Sequence, residues 1–314
     1  MGRAMTETTV STLTPPRAAR RGWAGQAGRS ALPVLTVLAA IVVAWYLAAV
    51  WMNAPWVRDQ AARAGETVTT GQLLRATMAQ ERPVLPAPHQ VAAALWEGVT
   101  GQSVTSKRSL VRHGWITLSA TLAGFALGSA AGILLAVGIV HSRVMDLSIM
   151  PWAVASQTIP ILAIAPMVIV VLASVGVTGL LPKALISAWL SFFPVLVGMV
   201  KGLRAPDPMQ FDLMRSWNAN GGQVLRFLRF PSSLPWLFAS LKVAIAAALV
   251  GTIVGELPAG AIQGLGARLL SGSYYGQTIQ IWSALFAAAI LAAGLVWLIG
   301  AVARLTLRRM GLAR

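Results

Sequence analysis

Six stretches of this chain, residues 31–51, 115–140, 149–175, 183–200, 234–257 and 279–302, are dominated by Ala, Leu, Val, Ile and Gly and carry almost no charge. A helix of about 20 apolar residues crosses the roughly 30 Å hydrocarbon core of a bilayer. Inside that core every backbone N–H and C=O must find its partner within the protein, which leaves helices as the solution for isolated apolar runs. The expected fold class is therefore an all-α membrane protein with about six transmembrane helices. Composition excludes the soluble alternative: 11% of residues are charged and 56% hydrophobic, with a mean hydropathy of +0.70, against about 25% charged in a soluble domain.

The net charge of +16 does not point to nucleic acid, because the basic residues lie between apolar runs rather than on one continuous face. That distribution follows the bias of Lys and Arg toward cytoplasmic loops. With six crossings and the N-terminus inside, segments 1–30, 141–148, 201–233 and 303–314 hold 15 of the 25 basic residues. Both termini are then expected in the cytoplasm. Residues 1–30, rich in Thr, Ser, Pro and Arg, read as a disordered cytoplasmic tail. The apolar run that follows, 31–52, exceeds the 7–15 residues typical of a signal peptide and reads as an uncleaved first helix.

Residues 53–112 form a mixed polar segment on the outer side. Within it VLPAPHQVAAALWEGV places Val91, Leu95 and Val99 at helical spacing, which predicts a short amphipathic helix on the outside of the bundle. The core domain is expected over 113–305, with a basic tail at 306–314. In the second crossing Gly124, Gly128 and Gly132 recur every fourth residue, forming a stripe that lets another helix approach closely. The third crossing contains Pro151, Pro160 and Pro166. Each proline lacks a backbone donor and kinks a helix, so neighbouring carbonyls need shelter. Ser156, Gln157 and Thr158, beside Pro160, either supply that shelter or line a solute path.

The segment 201–233 is long and charged for a connector inside a compact membrane protein. It contains FDLMRSWNANGGQVLRFLRFP, which predicts a short helix, a turn over Asn218 to Gly222 and a second helix ending before Pro231. Such a loop is suited to dock a soluble partner. Here the sequence resembles the permease subunits of binding-protein-dependent ATP-binding-cassette importers. Their cytoplasmic signature reads Glu-Ala-Ala, three residues, then Gly, at a fixed distance from a Pro. Anchoring on Pro231 puts Asp212 at the Glu position, Leu213 and Met214 at the two Ala positions, and Asn218 at the Gly. Asp retains the carboxylate, and Asn is the non-Gly residue that best tolerates a left-handed turn.

The resemblance runs over about residues 83 to 310 and includes LPAPHQV, ITLSATLAGFALGSAAGILLA and IPILAIAPMVIV. It is strongest to the nitrate, sulfonate and taurine branch, with DLMRSW and GELPAGAIQGLGARL leaning toward the pyrimidine (thiamine-precursor) and riboflavin permeases. It implies a type I importer permease fold with a cytoplasmic coupling helix, in the bacterial inner membrane. It also implies a homodimer of permeases, ATPase subunits that receive the loop (Asp212, Leu213, Met214, Arg215, Asn218, Gly221 and Gly222), and a periplasmic substrate-binding protein.

The chain contains no cysteine, and His89, His113 and His141 lack metal-ligand spacing, so they read as loop or interface residues rather than metal ligands. No GxxxxGK[ST] phosphate loop is present, no catalytic constellation stands out, and no cofactor is expected. Glu256, in VGELP at the outer end of the fifth crossing, is a candidate gate or pathway residue, as are Ser156, Gln157, Thr158 and Pro160. Gly264 and Gly266 read as a tight outer turn. The competing function is a secondary transporter or channel that works without an ATPase; duplicated halves or buried charge pairs would favour it, and no internal repeat is visible.

Overall fold

The computed structural model describes residues 23–257 and 263–311. Among them the chain is helical and contains no strand. Helix α1 (Trp23–Ala64) is followed by the short helices α2 (Thr70–Met78) and α3 (Pro88–Trp96), and α3 runs into a π-helical turn, Glu97–Gly101. Next come α4 (Leu110–His141), α5 (Arg143–Ser156), α6 (Ile161–Ser174) and α7 (Leu180–Leu203). After these come α8 (Pro208–Ser216), α9 (Gly221–Val224), α10 (Phe230–Gly255), α11 (Leu265–Tyr274) and α12 (Thr278–Arg309). The described residues fall into two compact units that divide between Ala48 and Ala49.

The expected tail, 1–30, lies outside the described residues up to position 22. From Trp23 onward the backbone is already helical, and α1 continues past position 52 to Ala64. The helix runs through both Pro33 and Pro55, so neither proline ends it where the apolar run begins or stops. The far C-terminal residues 312–314 are also outside the described set.

Five helices, α1, α4, α7, the α9–α10 rod and α12, are long and apolar enough to cross a membrane. The third expected crossing is not one kinked helix. It is two helices, α5 and α6, bent by 97° at a break of four residues. Pro160 supplies the reason: as the N-cap of α6 it has extended backbone, φ −67° and ψ 113°, and it cannot donate into the preceding turn. The pair nevertheless counts as a crossing. It is entered at the end of the bundle where Asp146 of α5 pairs with Arg204 beyond α7 at 2.8 Å. It is left at the opposite end, where Lys183 of α7 meets Glu256 beyond α10. We call these the loop end and the far end.

Three helices form the centre. On α4 the Gly stripe faces α7: a Cβ on Gly124 would sit 2.5 Å from the Ala184 carbonyl, one on Gly128 2.1 Å from Ser191 Oγ, and one on Gly132 2.7 Å from the Phe192 carbonyl. Between α7 and α10, Gly251 of α10 lies against Ser187 and Gly198 of α7 against Ser240. Without side chains in the way, backbones approach closely and dispersion replaces the hydrophobic drive that lipid cannot supply. Toward the loop end Ala136, Ile139, Ala153, Leu196, Met199 and Leu203 pack into one buried cluster. Large side chains on the periphery, such as Leu134, Met167 and Trp297, are exposed, a surface suited to lipid. Replacing Gly128 with Ile is expected to force α4 off α7 and destabilise the fold by about 1–3 kcal/mol. A lowered thermal unfolding midpoint in detergent checks this.

Helix α3 treats the three apolar residues of the predicted face differently. Val91 is buried, Leu95 supports a small core of Leu110, Leu265 and Ala288, and Val99 is exposed. The helix widens into its π turn before Val99, which rotates that side chain away from the expected face.

Candidate functional site

The polar segment after α7 folds as two short helices with explicit start signals. Asp207 caps α8, accepting from the Met209 N–H at 2.9 Å, while Gln210 reaches back to the Asp207 N–H at 3.1 Å. Pro208 occupies the first helical turn, where its missing donor costs nothing. Asn220 and Gln223 repeat the same reciprocal cap on α9. Between the two, Asn218 adopts φ +50°, the sole non-Gly residue with positive φ among the described residues. A β-branched residue there would be strained. Asn218→Val is expected to cost about 1–2 kcal/mol and Asn218→Gly to be tolerated, as measured by protease resistance of this segment.

Two expectations about this loop change. The second helix does not end before Pro231: α9 passes through a π turn, Leu225–Arg229, directly into α10. The wider turn accommodates the N–H that Pro231 lacks. The surface it presents is also more apolar than expected. Met209, Leu213 and Trp217 recur every fourth residue and are all exposed, at 79%, 51% and 70%. Asp212 and Arg215 pair with each other at 3.1 Å in solvent, Met214 is partly covered, and Asn218, Gly221 and Gly222 are exposed. Arg229 lies over the Phe211 ring at 5.0 Å, tying α8 to the root of α10. The loop is thus a pre-formed two-helix projection with an unpaired apolar ridge.

The α5–α6 break is a second candidate. Gln157, Thr158, Ile159 and Pro160 are exposed and Ser156 is half-buried. Their side chains serve the local backbone: Ser156 Oγ donates to the Ala153 carbonyl at 2.7 Å, and Thr158 Oγ1 to the Ala155 carbonyl at 2.8 Å. Gln157 Nε2 donates to Ser156 Oγ at 3.3 Å. Loop-side residues of α5 pack against α4 and α7, whereas Ala165 of α6 packs against Ile186 and Val254 nearer the far end.

Glu256 is elsewhere and shares no hydrogen bond with that break among the described residues. It is 0% exposed and lies at the C-cap of α10, one residue beyond the span. Thr117 Oγ1 of α4 donates to its carboxylate, at 2.9 Å from Oε2, and the Gly266 N–H of α11 donates to Oε2 at 2.9 Å. Lys183 Nζ of α7 stands 3.5 Å from Oε1 and donates to the Gln263 carbonyl at 3.0 Å.

The same knot fixes the start of α11. Thr117 Oγ1 accepts from the Leu265 N–H at 2.9 Å, and His113 Nδ1 accepts from the Gly264 N–H at 2.9 Å. An acceptor Nδ1 places the ring proton on Nε2, which faces the Lys107 carbonyl at 2.9 Å. Gly264 is required twice over. Its φ is +125°, and a Cβ there would fall 2.1 Å from Glu256 Cδ. Sequence reasoning singled out Glu256 and the two glycines, but it missed Thr117 and left His113 as a loop or interface residue. No periodicity links position 113 to 264; only their burial together reveals the pair.

Comparison with known proteins places this architecture. Residues 128–312 match the family described as "Binding-protein-dependent transport system inner membrane component". The riboflavin transport system permease protein RibX of Chloroflexus aurantiacus is 32% identical over 225 residues, covering 72% of this chain and 80% of that protein. The formylaminopyrimidine transport permease protein ThiX of Halalkalibacterium halodurans is 29% identical, covering 62% of this chain and 72% of its own length. A putative aliphatic sulfonates transport permease protein, SsuC of Bacillus subtilis, is 25% identical over 66% of this chain and 71% of its own. The chain belongs to the family of binding-protein-dependent transport system inner membrane components, as a membrane-spanning permease subunit of an ABC importer.

Proposed function

We propose that this permease works as a pair of identical chains that meet along the α5–α6 break and that its α8–α9 projection is the seat of a separate ATPase. The observation that carries the reading is the apolar ridge Met209, Leu213 and Trp217, exposed on a two-helix element whose helices are each capped at the N-terminus. An amphipathic helix of this kind suits a groove on a partner. The loop end is then cytoplasmic, with both chain termini on that side, and the far end meets a periplasmic substrate-binding protein. ATP hydrolysis belongs to the partner, and this chain contributes the path and the lever. The solute is a small organic molecule of the riboflavin, pyrimidine or sulfonate type that the relatives' names record.

The paired arrangement follows from lipid chemistry. An exposed backbone break with polar Gln157 and Thr158 is not tolerated against hydrocarbon, but it is where protein or water covers it. A second copy supplies protein on one side and an aqueous path between the two. Because the chain has no cysteine, Thr158→Cys introduces a single thiol. Oxidation in membranes is expected to yield a covalent dimer, more readily than for Trp297→Cys on the periphery of α12. Equal yields at the two positions would remove the break from the interface.

The ATPase-free alternative has a direct test. Reconstituted alone, the chain is expected to give no solute flux, and flux is expected only with its ATPase and ATP; flux from the chain alone would restore the secondary-transporter reading.

A further inference from the structure

A recess at the far end lies apart from the loop, the break and the Glu256 knot's own carboxylate. It has two adjoining lobes of about 530 and 440 Å³, and Arg268, Gln277 and Gln280 line both. Arg82 and Arg108 border the first lobe together with Glu81 and Glu97; Lys107 and His113 border the second. Arg268, on α11, is the central group. Its Nε is buried without a hydrogen-bond partner, and none of the ion pairs among the described residues reaches it. Gln280 Nε2 is already committed to the Arg268 carbonyl at 3.2 Å and to Ser271 Oγ at 3.0 Å. The five residues between α10 and α11 outside the described set, 258–262, contain no acid. Burial and the Arg108 cation both push the Arg268 guanidinium down.

A half-buried guanidinium beside like charges is unfavourable unless an anion joins it. Its depth indicates where the anion comes from. Helix α4 has 32 residues, about 48 Å at 1.5 Å per residue, against a hydrocarbon core of about 30 Å. It therefore extends beyond the hydrocarbon, and the recess at His113 lies within one turn of its N-terminal end. Exposed aromatic residues stand near this end on three elements: Tyr275, which lines the second lobe, with Tyr274 before it on α11, Trp96 next to Glu97 at the end of α3, and Trp115 two residues after His113 on α4. Such amphipathic rings prefer the membrane–water interface.

We propose that the recess binds the phosphodiester of a phospholipid headgroup, with the Arg268 guanidinium as its fork and Arg108 and Lys107 as flanking cations. Arg matches a phosphate bidentately, and basic pockets between helix ends are suited to lipid headgroups. The site does not depend on the transport reading.

The test uses the purified full-length chain, stripped of lipid and supplied with phosphatidylethanolamine, phosphatidylglycerol, diacylglycerol or inorganic phosphate alone. Retained lipid is counted by native mass spectrometry, with the unfolding midpoint in parallel. Both phospholipids are expected to be retained and to raise the midpoint, and diacylglycerol to do neither. Arg268→Gln is expected to lower retention about tenfold, and Arg268→Lys, which keeps charge but loses the fork, by less. Arg108→Gln carries the test if Arg268→Gln does not fold. Unchanged retention in these variants overturns the site. Equal stabilisation by inorganic phosphate with no lipid retained overturns the headgroup assignment. So does loss, in Arg268→Gln, of a copurifying acidic protein while lipid retention is unchanged.

Discussion

Replacing Leu213 with Asp is expected to cut ATP-driven uptake by about a hundredfold or more while the chain still inserts and folds. Leu213 sits at the middle of the exposed α8 ridge, between Met209 and Trp217. In the free chain its side chain touches solvent, so a polar replacement there is nearly neutral for folding. In a closed interface the same carboxylate would be desolvated without a partner. Loss at a central interface position is typically 2–4 kcal/mol, and each 1.4 kcal/mol is a factor of ten in affinity. The measurement pairs uptake in vesicles with pull-down of the ATPase subunit. Asp212→Lys should behave similarly but less severely, since it breaks only the solvent-exposed pair with Arg215. Full uptake by Leu213→Asp would remove the docking role from α8.

Glu256→Ala is expected to destabilise the folded chain by about 3–5 kcal/mol, the usual cost of removing one member of a buried ion pair. Lys183 would be left with only the Gln263 carbonyl, and the Gly266 N–H and Thr117 hydroxyl would lose their acceptor. Those groups come from α4, α7 and α11, so the damage is not confined to one helix. Glu256→Gln retains an acceptor oxygen but not the charge, and its loss should be smaller. Thr117→Val should fall between the two, because its hydroxyl both donates to Glu256 and accepts from the Leu265 N–H. Thermal unfolding in detergent orders the three variants, and protease cleavage near α11 reports whether its anchoring is what fails. A Glu256→Ala chain as stable as the parent would show that the knot contributes nothing to the fold.

The broken third crossing shows how far apolar patterning reaches. From Leu147 to Pro182 the chain has no charged residue, and hydropathy registers a span whether the helix is straight or severed. Pro160 announced a disturbance, yet the 97° turn depends on α5 packing beside Leu196 and α6 beside Ile186 and Val254. In the coupling loop the reverse holds. Asp207-Pro208 and Asn220 are local signals, so the starts of α8 and α9 can be read from the residues themselves. Asn218 falls in the turn that the residues predict, and its left-handed conformation is what the resemblance implied by setting it at the signature Gly.

What the amino-acid order determined by itself was everything that depends on neighbours within about one helical turn. Spans come from hydropathy summed over adjacent residues, the glycine stripe from a period of four, and helix starts from side chains that cap their own backbone. What only the tertiary structure decided was the meeting of Thr117, Lys183, Glu256 and Gly266, which lie as much as 149 positions apart. A buried carboxylate is stable only where donors converge on it in space, and such convergence leaves no periodic trace along a chain.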